Sequence, residues 1–295
     1  MQASASESVA DPILDVRNLT IAYRSEQGLV PAVRNVSFTL GRERLGIVGE
    51  SGSGKSTIGR GILKLLPTAE ITANRMQFEG MDLARASEKD MLRIRGRRIS
   101  MILQDPKFSL NPVLRVGEQV AEAYRVHFRC SKGEAREKTL AMFEAVQFRD
   151  PERVWNLYPH EVSGGMGQRA MIAMMLLTDP ALVIADEPTS ALDVTVRLQV
   201  LSILDDMVKT RGIGLIMISH DLNLVRNFCD RVLILYAGQV VEELVAGCFD
   251  KAEHPYTKGL IAAQPRIGEH RRLEVLHRRP EWAEPIAATG QGPRA

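Results

Sequence analysis

Few features of this chain are extreme, and each thing it lacks removes a class of function. Cysteine is scarce: Cys130, Cys229 and Cys248 stand far apart, with no C-x-x-C pair and no metal-ligand spacing. That excludes a disulfide scaffold and a thiolate metal centre, and it suits a reducing compartment in which thiols act as small apolar fillers. Net charge is nearly absent, +2 over 295 residues, so nothing electrostatic points to nucleic acid as a partner. Long apolar runs are missing as well; the longest, 170–177, is far below the roughly 18 residues of a membrane span. The opening residues, MQASASESVADP, have neither a basic n-region nor an apolar h-region, so no secretory leader is expected. What remains is an ordinary globular composition, 45% apolar and 25% charged, long enough for one large domain with an appendage or two modest domains.

The order of patterns is more informative. Residues 1–12 read as a disordered lead. Stretches 13–23 and 32–40 alternate in polarity like half-buried antiparallel strands. A short apolar strand at 45–48 follows, then strands at 75–78 and 99–103 on either side of a charged helical segment, 87–97. From 116 to about 180 the periodicity is helical, and Ser131-Lys-Gly-Glu134 reads as a capping box. Apolar strands at 181–185, 214–219 and 232–235 are of the kind buried in parallel sheets, with helices 194–210 and 222–228 between them. No internal repeat is present. From 264 onward Pro, Arg and Gly accumulate, so a loosely ordered or partner-bound tail is expected.

The densest chemistry lies at 49–57, GESGSGKST, between the strand 45–48 and a helix expected over 58–66 and stopped by Pro67. Gly49, Gly52 and Gly54 let the backbone curl around an anion, with Glu50, Ser51 and Ser53 between them. The helix that starts beside Thr57 adds the positive end of its dipole. Lys55 can reach the β- and γ-phosphates and Ser56 can ligate Mg²⁺. The bland alternative is a fortuitous glycine turn; the pattern arises by chance in about 1% of chains this long, and the strand–turn–helix setting lowers that further. A nucleoside triphosphate site is therefore expected. A second element is the apolar strand 182–187, which ends in Asp186 and Glu187. Alone it would be an acidic cap; beside a phosphate loop, Asp186 is placed to orient Mg²⁺ and Glu187 to act as general base on the attacking water. A third is Ser163-Gly164-Gly165-Met166-Gly167-Gln168, another glycine-rich helix start able to hold an anion.

Two phosphate-binding helix starts in one chain resemble the phosphate loop and signature motif of the ATP-binding cassette (ABC) ATPases, and the resemblance covers essentially residues 13–265. It implies an α/β fold: a RecA-like core, an N-terminal antiparallel β-subdomain, an α-helical subdomain at about 110–180 and a short C-terminal extension. The cassette would span 13–245, and the extension with its basic tail 246–295. In this family two cassettes pair head to tail, each ATP lying between one phosphate loop and the other subunit's signature, here Ser163, Gly164, Gly165 and Gln168. Tyr23 matches the aromatic that stacks on adenine, Gln104 the glutamine that touches Mg²⁺ and couples to the membrane partner, and Asp193 the loop that crosses the dimer. His220 matches the switch histidine on the γ-phosphate. Bland readings exist for two of these: a strand-face tyrosine for Tyr23, and a structural or solvent-facing histidine at a strand end for His220.

Local stretches narrow the branch. LGIVGES from Leu45, Gln104-Asp-Pro with Ser109-Leu-Asn-Pro112, Gly164-Gly-Met, Asp193-Val-Thr, Tyr236-Ala-Gly and above all His254-Pro-Tyr-Thr257 resemble the oligopeptide, dipeptide and nickel importers. Read by itself, His-Pro-Tyr is a turn entering a helix. The resemblance implies ATP and Mg²⁺ as ligands and a second, non-identical ABC ATPase subunit as partner. It also implies two transmembrane permease subunits, a separate solute-binding protein and a peripheral place on the cytoplasmic face of a bacterial membrane. A soluble cassette in a multi-enzyme complex, such as phosphonate degradation, is the alternative. Gly167 stands where the branch has Arg, Val162 replaces a leucine, and no cysteine follows Cys248, so no iron–sulfur segment is expected.

Overall fold

The computed structural model describes residues 11–26, 28–104, 110–190, 192–264, 279 and 282. The lead 1–10, the loop 105–109 after Gln104, Ala191 and most of the tail, including Arg266, Arg271, Arg272 and Arg278, lie outside the described residues.

The first strands, β1 (Leu14–Ser25) and β2 (Gly28–Leu40), pair antiparallel, and β1 also takes β4 (Ala69–Thr72) and β5 (Arg75–Phe78); β5 in turn pairs with β6 (Met81–Asp82). The second sheet is built on β3 (Arg44–Val48), β7 (Ile99–Ile102), β8 (Leu182–Asp186), β9 (Gly214–Ser219) and β10 (Arg231–Tyr236), all parallel, with β11 (Gln239–Val245) antiparallel at one edge. Its order is β11-β10-β3-β9-β8-β7. This is the α/β architecture with an antiparallel subdomain that the sequence led us to expect.

Because successive strand residues face opposite ways, the parallel sheet divides two cores. Leu182 and Ile184 of β8 face a core shared with β1, β2 and helix α1 (Lys55–Ile62). Val183 and Ala185 face a core made with α3 (Val116–His127), α4 (Lys132–Ala145), α6 (Gly164–Leu176), α7 (Val194–Arg211) and α8 (Leu222–Phe228). Both faces are covered, which is why β8 and β9 read as unbroken apolar runs rather than alternating ones. Two shorter helices, α2 (Glu88–Ile94) and α5 (Pro151–Asn156), complete the body before α9 (Pro255–Ala262). Among the described residues no helix is long and apolar enough to cross a membrane.

The structure departs from the sequence reading in specific places. Helix α1 stops at Ile62, four residues before the expected 66, because Lys64 turns left-handed (φ +51°) and Arg95 donates to the Leu63 and Lys64 carbonyls at 2.7 and 3.1 Å. At Ser131 only half of the expected capping box is seen: its hydroxyl accepts from the Glu134 N–H at 3.1 Å. Strand β11 is an addition to the sequence reading; the two-residue turn Ala237-Gly238, both at positive φ, folds it back on β10. Beyond 264, Arg279 and Trp282 pack on Tyr236.

Candidate functional site

Strand β3 sits in the middle of the parallel sheet and delivers residue 49 at its C-terminal edge, where ligands bind in open α/β sheets. Gly49 is obligatory: a Cβ there would lie 2.1 Å from the Leu235 carbonyl oxygen. Gly54 is left-handed at φ +98°, and its Cβ would lie 2.6 Å from the Ala32 carbonyl. The loop is closed on itself by Ser53 N–H donating to Glu50 O at 3.2 Å and is gripped by Gly238 N–H donating to Ser53 O at 3.1 Å. Helix α1 then begins at Lys55 with no side-chain cap, leaving its first N–H groups to the loop's concavity.

Lys55 is buried, and its ammonium donates to the Gly49 and Glu50 carbonyls at 2.8 and 2.7 Å. Burial lowers its pKa from the ordinary lysine value, opposed by the nearby carboxylates of Glu187, Asp186 and Glu50. The Ser53 hydroxyl is buried with no hydrogen-bond partner among the described residues. A buried polar atom inside a glycine-lined cradle is suited to an anionic oxygen.

Three neighbouring strands bring further groups to this edge. β8 ends at Asp186, which is 2% exposed and accepts from the Ser56 hydroxyl at 2.7 Å. Burial raises the Asp186 carboxyl above the usual range, against the lowering effects of Ser56 and Arg60. Glu187 follows at φ +52°, a region that costs a non-glycine residue about 1 kcal/mol or more. Its N–H is fixed on Ile218 O at 2.9 Å, and the turn aims its side chain at His220 beyond the end of β9. His220 Nδ1 lies 2.6 Å from Glu187 Oε1. Gln104 emerges beyond β7, exposed, at the same edge. Tyr23 stands on β1 in the other sheet, half-buried, paired with Val30 and Ala69.

The second glycine-rich start lies elsewhere. Ser163 caps α6 by accepting from the Met166 N–H at 3.3 Å, and no hydrogen bond among the described residues joins 163–165 to 49–57. Its two glycines differ. A Cβ on Gly164 would meet nothing within 4 Å, whereas one on Gly165 would lie 2.7 Å from Val196 of α7. Gln168 is buried and donates to Pro188 O at 2.8 Å, tying α6 to the turn after Glu187; in this chain it is a strut, not a surface group. Asp193 caps α7, accepting from the Thr195 and Val196 N–H groups at 3.0 and 3.1 Å. Gly167 is buried in α6, and nothing in the structure explains the replacement of arginine there. Cys229 is buried, and burial pushes its thiol up to about 12, so it is an inert filler.

Sequence reasoning gave Tyr256, Gly238 and Arg34 no part in this site. Glu50 N–H donates to the Tyr256 hydroxyl at 3.2 Å and Arg34 N–H to Gly238 O at 2.8 Å, contacts that link distant parts of the chain. The signal available was the aromatic behind Pro255 in the His-Pro-Tyr block.

Residues 33–190 match the family model described as ABC transporter. The chain is 46% identical over 288 residues to a probable peptide ABC transporter ATP-binding protein, y4tR, of Sinorhizobium fredii (strain NBRC 101917 / NGR234), covering 95% of this chain and 86% of that one. It is 43% identical to the oligopeptide transport ATP-binding protein OppD of Bacillus subtilis (strain 168), covering 92% and 78%. Among solved structures it resembles the dimeric post-hydrolysis state of the ATP-binding cassette MJ0796 bound to ADP and Pi, with a TM-score of 0.71, 28% identity and coverage of 79% and 98%. The chain belongs to the ABC transporter family, as an ATP-binding, ATP-hydrolysing subunit in the branch that includes those two relatives.

Proposed function

With that membership as premise, we propose that the chain is one of two ATPase subunits on the cytoplasmic face of a membrane importer for peptides or related small solutes. The relatives' names support peptides and give nickel no support. The observation that carries the site assignment is the pair of side-chain contacts at one sheet edge, Ser56–Asp186 at 2.7 Å and His220–Glu187 at 2.6 Å, next to buried Lys55.

On this reading the loop amides, Ser53 and Lys55 bind the triphosphate, with Gly49, Glu50, Ser51, Gly52, Gly54 and Thr57 shaping the cradle and Tyr23 meeting the adenine. Lys55 keeps its two loop carbonyls and has a third N–H left for a phosphate oxygen. Glu187 takes a proton from the attacking water, and His220 orients Glu187 and reaches the γ-phosphate. Mg²⁺ fits the donor set at Ser56, Asp186 and Gln104: one hydroxyl, one carboxylate and one amide oxygen suit a hard cation that completes its shell with phosphate oxygens and water. No cluster of three or more His, Cys, Asp or Glu able to hold a metal exists among the described residues. When bound, Mg²⁺ supplies charge neutralisation on the phosphates.

Because Ser163, Gly164 and Gly165 stand apart from the loop, each ATP would be sealed by the signature of a second cassette, here a non-identical paralogue, with Asp193 at the shared interface. Residues 13–245 form the cassette and 246–295 the extension. Two permease subunits and a solute-binding protein complete the importer, the last two selecting the solute. Co-expression with the permease genes tests this. The chain is expected in the membrane fraction only with the permeases present, with ATPase activity stimulated by the solute-loaded binding protein. Unaltered fractionation in every combination would overturn the importer reading.

A further inference from the structure

The C-terminal block reaches the nucleotide site. Tyr256 is the largest fully buried side chain among the described residues, and its hydroxyl accepts the Glu50 N–H at 3.2 Å. That N–H belongs to the Gly49–Glu50 peptide unit, whose carbonyl, Gly49 O, accepts from Lys55 Nζ at 2.8 Å. A peptide unit is planar, so fixing the N–H at one end fixes the direction of the C=O at the other. Tyr256 and Lys55 therefore hold opposite ends of one rigid plate in the phosphate loop.

Tyr256 is itself held from behind. His254 caps α9, its Nδ1 accepting the Tyr256 N–H at 3.2 Å, and Glu242 of β11 accepts from the Glu253 and His254 N–H groups at 2.6 and 3.3 Å. The Tyr256 ring lies 4.4 Å from that of Tyr236 and 5.9 Å from that of Trp282, centroid to centroid. The Tyr236 hydroxyl accepts from Arg279 N–H at 2.9 Å and donates to Arg279 O at 3.0 Å. The Arg279 guanidinium lies over the Trp282 ring at 5.3 Å. A continuous path of contacts thus runs from residues 279 and 282 through Tyr236 and Tyr256 to Glu50.

We propose that Tyr256 is a positioning residue of the nucleotide site, its hydroxyl orienting the Gly49–Glu50 peptide and hence Lys55, with Tyr236, Arg279 and Trp282 acting as the clasp that keeps it in place. This rests on the reading of residues 49–57 as the ATP site. A purely structural role for Tyr256 would need its ring but not its hydroxyl, and Tyr256→Phe separates the two. The chain has two tryptophans, so Trp155→Phe leaves Trp282 as the sole indole beside the tyrosines. In that background, ATP titration read by Trp282 emission is expected to give a Kd about five- to tenfold weaker for Tyr256→Phe. The melting temperature and the emission of the free protein stay at their parent values, and turnover shows the effect in KM more than in kcat. Tyr236→Phe, which frees Arg279 at one remove, is expected to shift Trp282 emission to the red and weaken ATP about twofold, and it serves if Tyr256→Phe folds poorly. Lys55→Ala is the control. If Lys55→Ala binds ATP like the parent, the site assignment itself fails. If Lys55→Ala loses ATP while Tyr256→Phe and Tyr236→Phe keep the parent Kd, the positioning role of Tyr256 is overturned.

Discussion

Arg44 and Arg231 open two neighbouring strands at the N-terminal edge of the parallel sheet, while Lys55 and Asp186 stand at its C-terminal edge; burial acts on all four, with opposite outcomes. Arg44 binds Asp230 through Nη2 at 2.6 Å and Nε at 3.2 Å, and it also reaches Asp205. Arg231 binds both oxygens of Glu43, at 3.0 and 2.8 Å, and pairs with Glu243. Burial pushes the Glu43 and Asp230 carboxyls up, but hydrogen bonds from Arg231 and the Gly41 N–H, and from the Arg44 side chain and N–H, outweigh it and hold both below their ordinary values. The Asp230 hydrogen bond likewise raises Arg44, against burial. Every one of these shifts favours charge. At the other edge burial wins: Lys55 falls, Asp186 rises, and both are driven toward their neutral forms. One edge of the sheet neutralises its charges internally; the other holds charges that a polyphosphate and a divalent cation would stabilise. On the proposed reading, that contrast separates groups kept for folding from groups kept for chemistry.

Substituting one edge at a time separates the two roles. Lys55→Ala is expected to weaken ATP about a hundredfold, while its melting temperature holds or rises because a desolvated charge is removed. Calorimetric ATP titration beside a thermal melt checks both halves; a large fall in stability would show that Lys55 is a folding residue. Arg231→Met should do the reverse. It leaves Glu43 and Glu243 without their guanidinium, at a cost of about 2–3 kcal/mol in chemical denaturation, with ATP affinity unchanged.

The edges also differ in sign with pH. Glu43 and Asp230 have depressed folded pKa values, so their contribution is present above the unfolded carboxylate value, about 4, and is lost as pH falls through the lower folded values. Asp186 has a raised value, so its contribution is present in acid and is lost as pH rises through that value. Stability measured from pH 7 to pH 3 is therefore expected to fall, with Asp230→Asn flattening the slope and Asp186→Asn steepening it by a smaller amount. An unchanged slope in Asp230→Asn would remove the N-terminal edge from the account.

A finer contrast lies within one helix start. Gly165→Ala places a methyl 2.7 Å from Val196 and is expected to lower stability by about 1–3 kcal/mol. Gly164→Ala meets nothing within 4 Å and should fold normally. On the dimer reading it loses ATPase only in the assembled pair. Equal melting temperatures for the two variants would contradict the packing assigned to Gly165.

What could be read in the sequence was local. The glycines and Lys55 lie within nine consecutive residues, and Asp186 and Glu187 end an apolar strand, so spacing alone located them. The alternation of 13–23 and 32–40 and the unbroken apolar runs of β8 and β9 gave the sheet types, because burial on one or both faces writes itself into polarity. Contacts across the chain were not legible. Nothing in residues 49–57 announces that Glu50 meets Tyr256, or that Gly238 holds Ser53. The sequence places Gln168 with the ligand groups, because the N-terminal turn of a helix looks the same whether a side chain turns outward or, as here, inward to Pro188. Short strands such as β4 and β6 have too few residues for a period to show.

On the proposed reading, the edge bearing Glu187 hydrolyses ATP as half of a paired site. Glu187→Gln, mixed with the partner cassette and Mg-ATP, tests it in one measurement of turnover beside size exclusion. Turnover is expected to fall by roughly a hundredfold or more while an ATP-dependent dimer accumulates. Hydrolysis at the parent rate, or full parent activity in a chain that stays monomeric with ATP, would contradict it.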